Sequence, residues 1–554
     1  MGRLVLRSFL VMALLFGLVF AVGIAVLYHY HFPWPFAFAF AVVIVALQYG
    51  LSPYLIDWIY RINWHYPADI SPEFAGFLTD LCKERNIPVP RFGIIEDSNP
   101  NAFTYGHVPG DARLVVTRGL QQMLTEEEFQ AVVAHEVGHI RHCDFIVMTF
   151  AALAPLLLYI LYTWTRGRRD NVAWVGFAAY LAYIVSQYIV LFLSRVREYF
   201  ADEHAAQSVT DANLISSALI KIAYGLAKVP QADPKDKKAT KSADLRTGTT
   251  VGALGICNFA SAQALAISAT NGAGEFSQET MLRAMQWDLW NPWAVLYELQ
   301  STHPLVARRV MAASRIARAK GQQPAFPLQM PSVNLWPAFW QDLLMTMLPW
   351  LGAVVGIGIG MLSIASGFAH VDSFSAPWWV LQYGWVLHYA LLPAGIGWLV
   401  RLAFSYRSDF RPSEVVQLVS ELEVSRIRCI PTELTGTIIG RGAPGLFWSK
   451  DLVLQDESGF ITLIYRQPLG ILETLFGVFR ANKLVGKQCT VRGWYRRGPV
   501  PYLEIQQVEF ADGLQLQVQN PSRIRVRTYY RAFLWTCAAI CTAIGALLLM
   551  VPMP

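Results

Sequence analysis

The sequence predicts a polytopic α-helical membrane protein of about seven spans, with helical soluble parts between them and a small all-β part towards the C-terminus. Three observations carry this. The 554-residue chain is 54% hydrophobic and only 15% charged, against about 25% charged in soluble domains, so an ordinary soluble enzyme is excluded. Apolar stretches near 8–28, 36–57, 145–164, 172–194, 342–366, 378–404 and 532–552 are long enough, or nearly so, to cross a bilayer. From about residue 433 the pattern changes to short strand-like runs.

The first apolar stretch follows Arg3 and Arg7 and has only a weak cleavage-like site, Ala21-Val22-Gly23. It reads as an uncleaved anchor that pairs with the second in a hairpin over 1–62. A soluble part over 63–143 comes next. Within it, Thr125 and Glu128 have the spacing of a capping box, and Phe129, Val132, Val133, Val137 and Ile140 fall at helical intervals. The helix they predict carries H-E-x-x-H. Four residues apart, His135 and His139 share one face and can hold a single zinc ion, while Glu136 is placed to take a proton from the attacking water.

A second hairpin over 144–194 is short enough at both ends to return the chain to the same membrane face, next to the histidines. There Glu198 and Asp202 again share a helix face. Glu198 is the expected third ligand, with Asp202 accepting from the free N–H of a ligating imidazole. A second soluble part occupies 195–335. Within it 229–250 reads as a surface loop, and 253–274, rich in Ala, Gly and Ser, as a helix near the cleft. His142 and His204 read as structural, and Trp287, Trp290 and Trp293 suit either a core or the membrane interface.

A third hairpin is expected over 336–410, a β domain over 411–525 and a last span over 526–554. Strands at 434–439, 452–455, 461–465, 488–495 and 502–508, with a helix at 469–480 between the third and fourth, suggest an OB-type barrel. Its basic residues Arg466, Arg492, Arg496 and Arg497 point to anionic headgroups or a protein partner rather than nucleic acid.

Charge sets the expected orientation. Arg3 and Arg7, fifteen Lys and Arg in 195–340, and the basic flanks of the later spans all mark the cytosolic side, whereas loops 29–35 and 367–377 have none. Arg166, Arg168 and Arg169 run against this assignment, one loop against the rest. Both the catalytic parts and the barrel are then cytosolic, in the inner membrane of a prokaryote-like cell. The seven cysteines contain no C-x-x-C pair and read as reduced thiols.

The H-E-x-x-H motif, the hydrophobic hairpin and Ser194-Arg195-Val196-Arg197-Glu198-Tyr199-Phe200-Ala201-Asp202 resemble the HtpX-type integral membrane zinc metallopeptidases, relatives of the CAAX prenyl proteases. Asn101-Ala102-Phe103 and the segment from His303-Pro304 to Arg309 are similar to two further family motifs. The resemblance covers roughly 1–320 and leaves the OB-like part as an addition. It implies a zincin-type, mostly α catalytic domain with one zinc per chain, held by His135, His139 and Glu198, and polypeptide substrates that are membrane proteins in quality control. It also implies that the edge strand at Asn101, Ala102 and Phe103 pairs with substrate backbone. Amide hydrolysis needs a further oxyanion donor, for which His303 is the candidate, and Arg309, placed with the substrate-binding residues, fixes either the substrate or local structure.

Two other readings stay open: a CAAX-type processing protease, and a membrane scaffold or chaperone with a vestigial zinc site and a partner-binding barrel. An intramembrane site-two protease does not fit, because three consecutive glutamates precede the motif.

Overall fold

A computed structural model describes residues 34–60, 62–97, 100–165, 173–225, 278–328, 333–366, 378–441, 450–498, 500–510 and 525–550. The expected first span, the loop 229–250, the segment 253–274 and the basic loop around Arg166 lie outside these residues. The chain divides into two compact units, Met1–Ala266 with Val295–Gln329, and Ile267–Ala294 with Met330–Pro554.

In the first unit a long apolar helix, α1 (Trp34–Tyr60), leads into β1 (Asn63–His65). Helix α2 (Pro72–Glu84) starts on Ser71, whose hydroxyl accepts from Phe74 N at 2.9 Å, with Pro72 at its first position. Strands β2 (Arg91–Ile95), β3 (Ala102–Tyr105) and β4 (Arg113–Thr117) complete a mixed sheet of order β1-β2-β4-β3, with β3 at its edge. Tyr60, Ile62, Ile95, Phe103, Tyr105 and Val115 form one cluster, which ties the sheet to the end of α1.

After α3 (Arg118–Met123), helix α4 (Glu126–Arg141) carries the histidine motif. Its capping box is formed: Glu128 N donates to Thr125 Oγ1 and Thr125 N donates to Glu128 Oε2. Only His142 and Cys143 separate α4 from α5 (Asp144–Thr165). Cys143 takes a left-handed φ of 54° to make that turn.

Helix α6 (Ala173–Ser208) runs back without interruption for 36 residues, so one rigid rod carries both the span and the acidic pair. Helix α7 (Asn213–Gly225) follows. Helix α8 (Gln278–Trp290) belongs to the second unit, α9 (Pro292–Leu299) crosses the division, and α10 (Val306–Ala319) returns to the first.

The second unit holds the long helices α11 (Trp336–Ala365), α12 (Trp378–Ser405) and α15 (Tyr530–Met550). Glycines let them approach closely. A Cβ on Gly356 would stand 2.2 Å from the Tyr389 carbonyl oxygen, and one on Gly545 2.3 Å from Leu392 N.

Between them lie β5 (Arg411–Pro412), α13 (Val415–Ser420), β6 (Ile430–Arg441), β7 (Leu452–Gln455), β8 (Phe460–Ile464), α14 (Gly470–Phe479), β9 (Gln488–Arg497), β10 (Pro501–Phe510) and β11 (Arg525–Arg527). The pairings β6–β7–β8–β10–β9–β6 close a ring in which only β8–β10 is parallel. With α14 between its third and fourth strands, this is the five-stranded barrel expected.

Five described helices are long and apolar enough to cross a membrane: Ala39–Tyr60, Asp144–Thr165, Trp174–Ser208, Trp336–Ser363 and Tyr530–Leu549. The protein is therefore a multi-pass membrane protein. Of the other two expected spans, 8–28 lies outside the described residues and 378–404 is α12, which over Tyr389–Ser405 forms a shorter apolar helix.

One expectation about the second unit needs correction, and one left open is resolved. Arg496 and Arg497 are buried. Arg496 Nε donates to Glu504 at 2.9 Å and Arg497 Nη2 to the Ala284 carbonyl at 2.9 Å, so neither offers a charged surface. Trp287 is core, its indole N–H donating to the Val424 carbonyl at 2.8 Å.

Candidate metal centre

Helices α4 and α6 meet where Gly138 faces Ala201 and His204. A Cβ at Gly138 would lie 3.2 Å from the Ala201 Cα, so the absence of a side chain sets how closely the two helices approach. That approach places Glu198 beside the histidines. Nε2 of His135 and Nε2 of His139 are 3.1 Å apart, and the Glu198 carboxylate stands 3.7 Å from each. These three residues form a metal-competent group, with ligand atoms within 4.8 Å of one another.

The outer nitrogens explain the orientation of both rings. His135 Nδ1 lies 3.0 Å from Asp202 Oδ1, and His139 Nδ1 lies 2.5 Å from Asp144 Oδ2. Carboxylates on both Nδ1 atoms place the protons there and leave the Nε2 lone pairs converging on one point. Nitrogens bound to a tetrahedral zinc at about 2.0–2.1 Å stand about 3.3 Å apart, close to the spacing here. Glu198 Oε2 is buried and accepts no hydrogen bond among the described residues. The donor set fits zinc.

Glu136, beside the ligands, meets the sheet, where Thr104 Oγ1 on β3 donates to its carboxylate at 3.1 Å. Burial raises its carboxyl above the ordinary value, opposed by the imidazoles of His139 and His135 and by Thr104. This contact sets the edge strand alongside the motif helix. Asn101 O accepts from Thr117 N, so by strand alternation Phe103 and Tyr105 also turn their backbone groups to β4, and Ala102 and Thr104 turn theirs outward.

His303, on the loop before α10, reaches the same site with Nε2 3.6 Å from Glu198 Oε1. Burial, reinforced by Arg309 and opposed by Glu198, holds its imidazole below the ordinary value, so it is neutral near pH 7. The loop is held from α6. Arg195 Nη1 donates to the carbonyls of Glu298 and Ser301, each at 2.8 Å.

Of the two roles open to Arg309, its surroundings fit the fixing of local structure. It is completely buried, donating to Asp202 at 2.7 and 2.6 Å and lying 3.2 Å from Glu198 Oε2. A guanidinium held by two carboxylates behind the ligands braces them. His204, read as structural, packs inside with Nδ1 2.9 Å from the Ala134 carbonyl. Asp144, Arg197 (2.7 Å from Asp144), Arg195 and Thr104 were not singled out by sequence reasoning. For Asp144 the available signal was a carboxylate directly after the motif helix.

Residues 73–317 match the profile of Peptidase family M48. A protein described as Protease HtpX homolog from Methanothermobacter thermautotrophicus is 38% identical over 236 residues, which cover 42% of this chain and 91% of the relative. A second of that description, from Moorella thermoacetica, is 30% identical over 245 residues, covering 42% and 81%. Among solved structures, one titled Crystal Structure of S. mikatae Ste24p aligns with 55% of this chain and 64% of that one, at 14% identity and a TM-score of 0.35.

Proposed function

Starting from the fact that this chain belongs to peptidase family M48 with the HtpX homologs, and is a membrane zinc metallopeptidase, we propose that it cleaves membrane and membrane-proximal proteins at the cytosolic face, in protein quality control. One observation carries the reading. The ligand helices α4 and α6 are continuous or nearly continuous with spans, and the edge strand β3 contacts the catalytic helix through Thr104. A polypeptide laid along β3 therefore passes the site beside the bilayer.

The residues divide the work as follows. His135, His139 and Glu198 hold the metal, and Asp202, Asp144 and Arg309 orient them. Zinc, when bound, polarises the scissile carbonyl and lowers the pKa of the attacking water. Glu136 takes the proton from that water and delivers it to the leaving amine nitrogen. Neutral His303 donates a hydrogen bond to the oxygen that becomes negative as the carbonyl turns tetrahedral. Outward backbone groups of Ala102 and Thr104 pair with an extended substrate, while Asn101 and Phe103 anchor the strand from within.

The test is substrate trapping with Glu136→Gln in intact cells, followed by identification of the captured proteins. The expected catch is membrane proteins with cytosolic segments, absent when Glu198 is also replaced by Ala. A catch made up only of soluble proteins overturns the substrate class.

A further inference from the structure

Helix α14 exposes apolar residues where a soluble barrel would carry polar ones. Ile471, Leu472, Leu475, Val478 and Phe479 are 37–67% exposed, and their spacing puts them on one stripe of the helix. Phe476 faces the barrel, stacked on Tyr465 at 3.9 Å. Beside the stripe opens a cleft of about 520 Å³, whose walls include Leu475, Phe479, Arg480, Arg527 and Tyr529.

Tyr529 immediately precedes α15, one of the membrane-crossing helices, so the cleft sits at the level where the chain enters the bilayer. The barrel is seated there as well. Trp494 and Cys429 form one cluster with Leu402 and Tyr406 around the end of α12 and with Ala538 of α15. Arg480, Arg527 and Lys483 are exposed around the cleft and its helix, giving positive charge next to the apolar stripe.

We propose that α14 lies in the plane of the bilayer surface and that the adjacent cleft seats an anionic phospholipid, its acyl chain along Leu475 and Phe479 and its phosphate between Arg480 and Arg527. An amphipathic helix with basic residues at its edge gains from burying its apolar face and from anionic headgroups together. Continuity with α15 identifies the occupant as the same bilayer rather than a soluble partner. The barrel is thus a membrane-surface module that senses lipid charge.

The test uses full-length protein in phosphatidylcholine vesicles, with the native cysteines replaced and a fluorophore on Leu475→Cys. Quenching by brominated phosphatidylglycerol is compared with quenching by brominated phosphatidylcholine. Protection of the buried β6 and β9 amides from hydrogen exchange checks that the barrel is folded in each preparation. The proposal expects quenching by both lipids, with phosphatidylglycerol locally enriched by about fivefold for each arginine engaged. Arg480→Gln with Arg527→Gln should equalise the two lipids while quenching itself persists. Absence of quenching by either lipid overturns the proposal, as does equal quenching in the protein with both arginines intact.

Discussion

At the residue scale, the three ligands depend on carboxylates that never touch the metal. Asp144 holds His139 in the tautomer that points Nε2 inward, so Asp144→Asn should weaken zinc binding about 10–100-fold. Competition with a chelator measures this, and unchanged affinity would remove Asp144 from the account. Arg309 compensates two buried carboxylates. Arg309→Met should cost about 3–5 kcal/mol in unfolding free energy, because the buried Asp202 carboxylate loses the cation that holds it. A thermal midpoint equal to the parent's would contradict that bracing role.

These residues also show how far the sequence could be read. His135, His139, Glu198 and Asp202 were legible because each pair sits four apart on a helix, where spacing alone fixes a shared face. Asp144 was not, because a left-handed turn at Cys143 folds it back onto His139 and no periodicity crosses such a turn. The position of Arg309 was legible but its direction was not. A motif arginine close to the active site serves substrate or scaffold equally well until its partners are known.

At the element scale, two contacts decide whether the site assembles. Gly138→Ala requires α4 and α6 to give by a few tenths of an ångström, which should cost about 1–3 kcal/mol and lower zinc occupancy although no ligand changes. Full occupancy with unchanged stability would show that the close approach is dispensable. Arg195 binds the loop that presents His303, so Arg195→Ala should keep zinc yet lose about 10²–10³-fold in kcat, as His303→Ala should. A loss confined to KM would instead make that loop a binding element. The spans, the motif helix α4 and the five barrel strands were legible from period and capping, since Thr125 and Glu128 announce α4 and alternation announces β6 to β10. Strands β5 and β11, of two and three residues, are too short to show any period.

At the scale of the whole molecule, the two units separate chemistry from what the added barrel contributes, for all metal ligands lie in the first. The basic loops favour a cytosolic catalytic side, which is open to direct measurement. Single cysteines at exposed Glu127 and Ser366, in a cysteine-free background, should differ in their reaction with an impermeant thiol reagent. Position 366 should label in intact cells and position 127 only after lysis. Labelling of 127 from outside would invert the protein and remove cytosolic quality control as its function.

The central claim, that Glu136 moves the proton at a zinc held by His135, His139 and Glu198, is met most directly by casein cleavage with zinc-replete Glu136→Gln beside the unaltered protein. The account predicts one zinc per chain in both and a loss of about 10²–10⁴-fold in turnover. Undiminished cleavage by the metal-loaded variant would contradict it.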